Sequence, residues 1–182
     1  MSLYEYEREG DAQSLIGVLD RSENAEIRKR AAEALGQLED HDDRRDIVSA
    51  LVEAAETDEA AVASAAIDAL DQLGQDAIES LIASMADVDF DEGAADWARA
   101  KAFTQALSAE MPELRMAAAN ALGEVGDADT VPRLTNRFDD PDPRVRARAA
   151  RACGQIGDAR ATDALTGLLS DPKAGVRREA AE

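Results

Sequence analysis

The stretch DPDPRVRARAARACGQIGDARATDALTGLL, residues 140–169, decides the fold of this 182-residue chain. Its Asp-Pro pair at 140–141 recurs 31 residues later at 171–172. Its segment GQIGDA at 154–159 matches GEVGDA at 123–128 with the same shift. Several positions that recur at one fixed shift are the mark of a repeat protein.

Looser copies of the unit lie earlier in the chain, IRKRAAEALGQL from Ile27 and VASAAIDALDQLG from Val62. Apolar residues in the copies follow the period of an amphipathic helix, as at Leu114, Ala118 and Leu122. Gly-Asp then ends one helix and caps the next, while Asp-Pro separates one unit from another. No useful segment alternates with a period of two, so the sequence predicts an all-α fold.

These units resemble the short HEAT-like repeats of the phycobilisome-lyase type. The resemblance implies a right-handed α-α superhelix of about five helical hairpins, in which each hairpin packs only against its neighbours. It also implies that the second helix of each hairpin lies on the concave side. We predict a single solenoid over residues 1–182, with repeats at about 11–38, 43–74, 76–126, 127–157 and 158–182.

The third repeat is predicted to contain an insertion at 88–109. Within it, AADWARAKAFTQAL is typical of an additional helix and includes Trp97 and Phe103. Because aromatic residues are enriched at interfaces, contact with a partner is one interpretation. The other is that these side chains hold the added helix against the solenoid. The last helix, VRREAAE at 176–182, lacks the Leu-Gly ending of the other copies. Either this chain is a fragment of a longer array, or the open end packs on something, and self-association through an uncapped C-terminal end is then a further hypothesis.

Charge is the second informative property. The chain has 39 acidic and 20 basic residues, a formal net charge of -19, and its basic residues are almost all arginine. This composition is typical of proteins from salt-in halophiles, the haloarchaea above all. In molar salt the Debye length is about 3 Å, so self-repulsion is screened while carboxylates keep the surface hydrated. The charge is concentrated in residues 1–110, which carry a net -18.

Arginines recur at one position of the unit. The family resemblance implies a structural ladder there, in which each arginine pairs with an acidic group of an adjacent repeat. The ladder positions are Arg28, Arg115, Arg146 and Arg177.

Arg144, Arg148 and Arg151 lie outside the ladder, and Asn120 occupies the position aligned with Arg151. Val145, Ala149 and Cys153 occupy the apolar stripe, so these arginines point mostly away from the core. We expect Arg148 and Arg151 to face the concave groove. They either bind an anionic partner or form a solvated face.

Residues that support catalysis or metal binding are scarce. His41 is the sole histidine and lies in an acidic loop, where consecutive residues do not converge on a metal. Cys153 replaces the leucine of the other copies, so we expect a buried hydrophobic residue rather than a nucleophile. We therefore predict no catalytic residues, no metal and no cofactor. The absence of a long apolar run and of a secretory signal predicts a cytoplasmic protein without membrane contact.

The function predicted from these features is a non-enzymatic scaffold that binds a protein partner through the second-helix face. The alternative is an enzyme-associated subunit of the bilin-lyase type. Deoxyhypusine hydroxylase also uses such repeats, but its diiron site needs several His-Glu pairs, which one histidine does not provide. Nucleic-acid binding ranks lowest, since the acidic first 110 residues repel phosphate and stacking aromatics are scarce.

Overall fold

A computed structural model describes residues 3–38, 42–86 and 96–182. These residues form α helices and two short 3-10 helices, and no strand occurs among them. The chain divides into two compact units, Met1–Val88 and Asp89–Glu182. The predicted all-α helical-repeat fold is confirmed. His41 lies outside the described residues, as does the first part of the predicted insertion.

The first unit is built from helices that pack in pairs. Helix α2 packs on α3, and α4 packs on α5, while α3 and α5 lie side by side. Large side chains fully buried between them include Leu15, Ile47 and Leu70. The helices are α1 (Leu3–Glu9), α2 (Ala12–Arg21), α3 (Ala25–Leu35), α4 (Arg44–Thr57), α5 (Ala60–Leu73) and α6 (Gln75–Ala86).

The second unit places three second helices, α8, α10 and α12, next to one another, and α7 packs against α8. Alanines such as Ala118 and Ala149 are fully buried along this row, and their small side chains permit close helix packing. The helices are α7 (Asp96–Ala106), α8 (Pro112–Val125), α9 (Val131–Thr135), α10 (Pro143–Ile156), α11 (Thr162–Leu168) and α12 (Ala174–Ala181).

The first helices of the last two hairpins differ from a continuous α-helix. They begin as 3-10 helices, Ala128–Thr130 and Ala159–Ala161, and become α-helical afterwards. The aspartate before each of these 3-10 helices caps it, since Asp127 accepts a hydrogen bond from the backbone N–H of Asp129, and Asp158 accepts one from that of Arg160. The division into five repeats stays a prediction.

Two glycine positions are explained by the backbone. Gly126 and Gly157 end α8 and α10 in the left-handed region, with φ of 73° and 70°, which glycine adopts without steric cost. Gly123 permits close approach instead, since a Cβ at this position would lie 3.0 Å from the Cα of Ala152. The recurring Gly-Asp motif is therefore a helix end followed by a capped helix start.

The predicted additional helix is present as α7, and its two aromatic side chains have different environments. Phe103 is 0% exposed and belongs to the core of the second unit, whereas Trp97 is 69% exposed. The candidate assignment of Phe103 to partner contact is corrected by this burial, because a side chain without solvent access packs the helix in place. Trp97 stays a candidate for partner contact.

Cys153 provides a direct test of the core. Its side chain is buried, and this burial raises the pKa of the thiol to about 12. Since the thiolate is the reactive form, we expect the folded protein to resist iodoacetamide at pH 8 and to react readily in denaturing urea. Mass spectrometry of the alkylated protein measures this. Equal labelling rates in the two conditions would contradict the buried position.

Candidate functional site

A repeated arginine–aspartate pair connects neighbouring hairpins. In the second unit, Arg115 on α8 donates from Nε and Nη2 to the two carboxylate oxygens of Asp140, both at 2.9 Å. Its Nη1 donates to the backbone carbonyls of Ala109 and Glu110. Asp140 lies in the turn before α10, and its side chain is 2% exposed. The pair is therefore a buried bidentate contact between hairpins.

The same arrangement recurs one repeat later. Arg146 donates from Nε and Nη2 to Asp171, at 2.8 and 3.1 Å, and from Nη1 to the carbonyl of Asp140. The hydrogen bonds from Arg146 hold the pKa of Asp171 below its ordinary value. In the first unit, Arg28 makes the equivalent bonds to Asp58 at 2.8 and 2.7 Å.

Arg177 departs from the predicted ladder. Its Nη1 donates to the backbone carbonyls of Asp171 and Pro172, at 2.7 and 3.2 Å. In the part of the chain that the structure describes, no carboxylate accepts a hydrogen bond from its Nε or Nη2. Among the described residues Arg177 therefore makes the backbone half of the arrangement.

Arg144 also has internal partners. Its Nη2 donates to Glu113 on α8 at 2.9 Å and to Asp142 at 2.8 Å. The hydrogen bond with Asp142 is the main cause of the raised pKa of Arg144 and of the lowered pKa of Asp142. Arg144 therefore holds α10 against α8, and its side chain is still 53% exposed.

Arg148 and Arg151 are the charged side chains that α10 leaves without partners. Arg151 is exposed and Arg148 is half-buried. Across residues 3–38, 42–86 and 96–182 neither forms a hydrogen bond or an ion pair. Residues three apart lie on one helix face, so the two guanidinium groups are neighbours.

The surroundings of these arginines follow from the 31-residue shift. On α8, Asn120 occupies the position of Arg151, is half-buried and already engages in an interaction of its own. Ala117 occupies the position of Arg148 and is buried. We call Arg148, Arg151 and this flank of α8 the second-helix face. Its charged side chains are two arginines, and its residues include no general acid, base or nucleophile.

A groove elsewhere among the described residues has the opposite charge. A groove of about 360 Å³ lies between α2 and α4, and carboxylates line it together with Ile16 and Leu19. The acidic side chains are Asp20, Asp46, Glu53 and Asp58. Among the described residues no group of three or more His, Cys, Asp or Glu side chains is placed to hold a metal ion. None of the described helices is long and apolar enough to cross a membrane.

Reasoning from the sequence missed the partners of Arg144 and the identity of the ladder aspartates. A signal for the aspartates exists in the second unit, because Asp140 follows Arg115 by 25 residues and Asp171 follows Arg146 by the same number. An aspartate that lies 25 residues after a ladder arginine, in an Asp-Pro turn, is therefore predicted to be the partner of that arginine. Glu113 and Arg144 are 31 residues apart, which is one repeat, so they occupy equivalent positions on neighbouring second helices.

Comparison with known families and proteins agrees with this geometry. The sequence model of the family described as HEAT repeats matches residues 12–100 and 100–182. A HEAT repeat-containing taxis protein of Halobacterium salinarum is 45% identical over 129 residues. That match covers 71% of this chain and 30% of the relative, so the chain corresponds to less than a third of the relative's length.

Solved structures show the same architecture. The complex of CpcE and CpcF of phycocyanin lyase from Nostoc matches with a TM-score of 0.55 and 26% identity, covering 97% of this chain and 64% of that chain. A designed armadillo repeat protein matches with a TM-score of 0.53 and 17% identity, covering 98% and 83%. The second likeness concerns the fold alone.

Proposed function

This chain belongs to the HEAT repeat family, and from that premise we propose that it is a non-enzymatic scaffold that binds an anionic surface of a partner protein through Arg148 and Arg151. The observation that carries the proposal is the contrast along α10. Arg144 and Arg146 are tied to carboxylates, while Arg148 and Arg151 have no partner in the described chain. Helical repeat proteins use extended surfaces of this kind for binding.

The charge pattern supports a protein partner rather than nucleic acid. The first unit, Met1–Val88, has 7 basic and 22 acidic residues, a net charge of -15. Phosphate backbones bind to several arginines or lysines that track them, and the two arginines of this face do not form such a track. Two arginines on one helix face suit a small cluster of carboxylates on a folded protein, which they bind in bidentate fashion.

The name of one relative supports a class of partner. That protein is named as a taxis protein, and it is 45% identical to this chain over 129 residues. We therefore propose a partner in a signalling assembly of the taxis type. The alternative is a subunit associated with an enzyme, which the likeness to the phycocyanin lyase complex favours.

Charge reversal tests the surface. We expect the double variant Arg148→Glu/Arg151→Glu to lose its partner, with affinity lowered at least 100-fold, because each lost charge-assisted contact is worth about 1.5–3 kcal/mol. The matched control is Arg45→Glu/Arg133→Glu, which changes the net charge equally at two exposed arginines on α4 and α9. Affinity purification from native lysate in molar KCl, followed by quantitative mass spectrometry, compares the two baits with the unchanged protein.

The outcomes separate the candidates. A stoichiometric protein retained by the control and lost by the test variant supports the scaffold and its binding face. A partner retained equally by both variants would refute the assignment to Arg148 and Arg151. Turnover of a tetrapyrrole-bearing client by the purified assembly would favour the enzyme-associated alternative.

A further inference from the structure

Three arginines of α10 form a line along one side of the helix. Arg144, Arg148 and Arg151 are spaced by four and three residues, which makes them neighbours on a helix face. With a rise of about 1.5 Å per residue, they lie about 6 and 4.5 Å apart along the helix axis. We call these three residues the arginine row. Both α8 and α12 pack against α10, so the row lies inside the second unit and not on its last helix.

Arg144 is the fixed member of the row. Its Nε and Nη2 donate to Asp142, and Nη2 also donates to Glu113. Among the described residues its Nη1 has no acceptor, although half of the side chain is exposed. Because two carboxylates hold this guanidinium in place, little rotamer freedom is lost when a ligand binds to Nη1. Arg148 and Arg151 form no hydrogen bond with the described residues, so they offer all of their donors.

Small residues lie beside the row on the exposed side of α10. Ala147 is half-buried and Gly154 is exposed, and a Cβ at position 154 would meet no atom within 4 Å. Positions 147, 151 and 154 are again spaced by four and three residues, so these small residues run parallel to the row. The backbone of a partner can therefore come close to α10 while its side chains reach the guanidinium groups.

We propose that the arginine row binds an α-helix of the partner protein that presents three acidic side chains on one face. This inference rests on the proposed function, because it names the partner element that the same face binds. Side chains three and four residues apart on a helix recur at about 4.5 and 6 Å, which are the spacings of the row. An extended segment presents side chains on one face about 6.6 Å apart, so its third carboxylate would lie about 3 Å beyond the row.

The chemistry of the row selects the arrangement of carboxylates rather than their number. The guanidinium fork matches a carboxylate and binds it through two parallel hydrogen bonds. In molar salt the long-range attraction between charges is screened, so only carboxylates placed within hydrogen-bonding reach contribute to binding. A helix with the matching spacing brings all three carboxylates within reach of the row at once.

Peptide titration tests this spacing. The probes are alanine-based helical peptides of about 20 residues with three glutamates on one face. The glutamates lie at i, i+4 and i+7 in one peptide and at i, i+3 and i+7 in another, to match the two directions of a docked helix. The control peptide has the same composition with its glutamates five residues apart, which places them on three different faces.

The readout is NMR of the arginine Nε–H and backbone amide groups of the protein in molar KCl, which detects affinities as weak as millimolar. We expect the better of the two on-face peptides to bind at least about 10-fold tighter than the control peptide, because it engages at least one more charge-assisted pair. The Nε–H signals of Arg148 and Arg151 should shift with it. Arg148→Gln/Arg151→Gln should abolish the preference, and the matched control Arg45→Gln/Arg133→Gln should keep it.

A change in the peptide tests the part of Arg144 without disturbing α10. The end glutamate that lies opposite Arg144 is replaced by glutamine, and we expect affinity to fall about 5-fold because one of three charge-assisted contacts is lost. An unchanged affinity would overturn the assignment of Arg144 to the row.

Further outcomes decide the occupant. Equal affinity of the on-face and control peptides, or no shift with any peptide, would overturn the helix. Tighter binding of a proline-containing peptide with glutamates at every second position would identify an extended segment instead, and tighter binding of a single-stranded oligonucleotide would identify a nucleic acid. Shifts of the same signals when the protein alone is diluted would identify a second copy of the chain.

The lysate experiment separates this inference from the proposed function. If the peptides fail while Arg148→Glu/Arg151→Glu still loses its partner, the acidic helix is wrong and the binding face is supported. If that variant also retains its partner, both proposals are wrong.

Discussion

Replacing Asp140 by alanine is expected to lower the free energy of unfolding by about 3–5 kcal/mol, which is the usual cost of removing one partner of a buried ion pair. The side chain of Asp140 is 2% exposed and that of Arg115 is 10% exposed. Without Asp140, the Nε and Nη2 of Arg115 lose their acceptor in a place that water reaches poorly. The N–H of Asp142 also loses the carboxylate oxygen that it donates to at 3.0 Å.

The measurement is urea denaturation followed by far-UV circular dichroism, together with thermal melting. For a chain of this length the loss corresponds to a fall in melting temperature of about 10 °C. Hydrogen exchange should place the loss in α8 and α10, since the pair connects these helices. Asp163→Ala is the matched control, because Asp163 is exposed on α11 and forms no hydrogen bond or ion pair with the described residues.

A third variant separates the loss of the ion pair from the cost of leaving Arg115 buried without an acceptor. The double substitution Arg115→Met/Asp140→Leu removes both charges, so we expect it to be more stable than Asp140→Ala. If Asp140→Ala costs no more than Asp163→Ala, which we expect to change stability by less than about 0.5 kcal/mol, the ladder does not hold the hairpins together.

Much of the fold was predictable because it is periodic. The shift that carries Val145 to Val176 and Gly126 to Gly157 repeats a helix face and a helix end, so one unit explains the next. Val145 and Val176 are both buried as this pattern predicts. The helix starts were predictable for the same reason, since Asp142 and Asp158 each cap the backbone N–H two residues on.

The candidate site was harder to predict because it depends on side-chain pairing. Arg144 and Arg148 look equivalent in the sequence, but Glu113 on the neighbouring helix reaches only the first of them. Phe103 and Trp97 look equally suited to an interface, and the rotation of α7 buries one and exposes the other. Pairing and burial of a side chain depend on which residue of an adjacent helix lies opposite it. A single sequence does not give the distance between those two residues.

Dialysis into low salt is expected to unfold the first unit before the second. Met1–Val88 carries a net charge of -15, whereas Asp89–Glu182 carries a net charge of -4. Two like charges 10 Å apart in water repel by about 0.4 kcal/mol when unscreened. Many such pairs among the acidic residues of the first unit sum to several kcal/mol, which is comparable with the whole stability of a small domain.

Salt decides whether this repulsion acts. The Debye length is about 3 Å at 1 M and about 30 Å at 0.01 M ionic strength, so molar KCl screens the charges of the first unit and 10 mM KCl does not. We therefore expect most of the helical circular dichroism of the first unit to be lost at 10 mM KCl and restored on return to 2 M.

Hydrogen exchange across a KCl series locates the loss. Protection of backbone amides should fall first in α2 to α6, while α8 and α10 keep theirs to lower salt, because their unit has less net charge to screen. Sucrose at low ionic strength is the control, since it favours the folded state without screening charge. A melting temperature that stays constant from 2 M to 10 mM KCl would show that the acidic surface does not govern stability, and the link between this composition and molar salt would then have no physical basis.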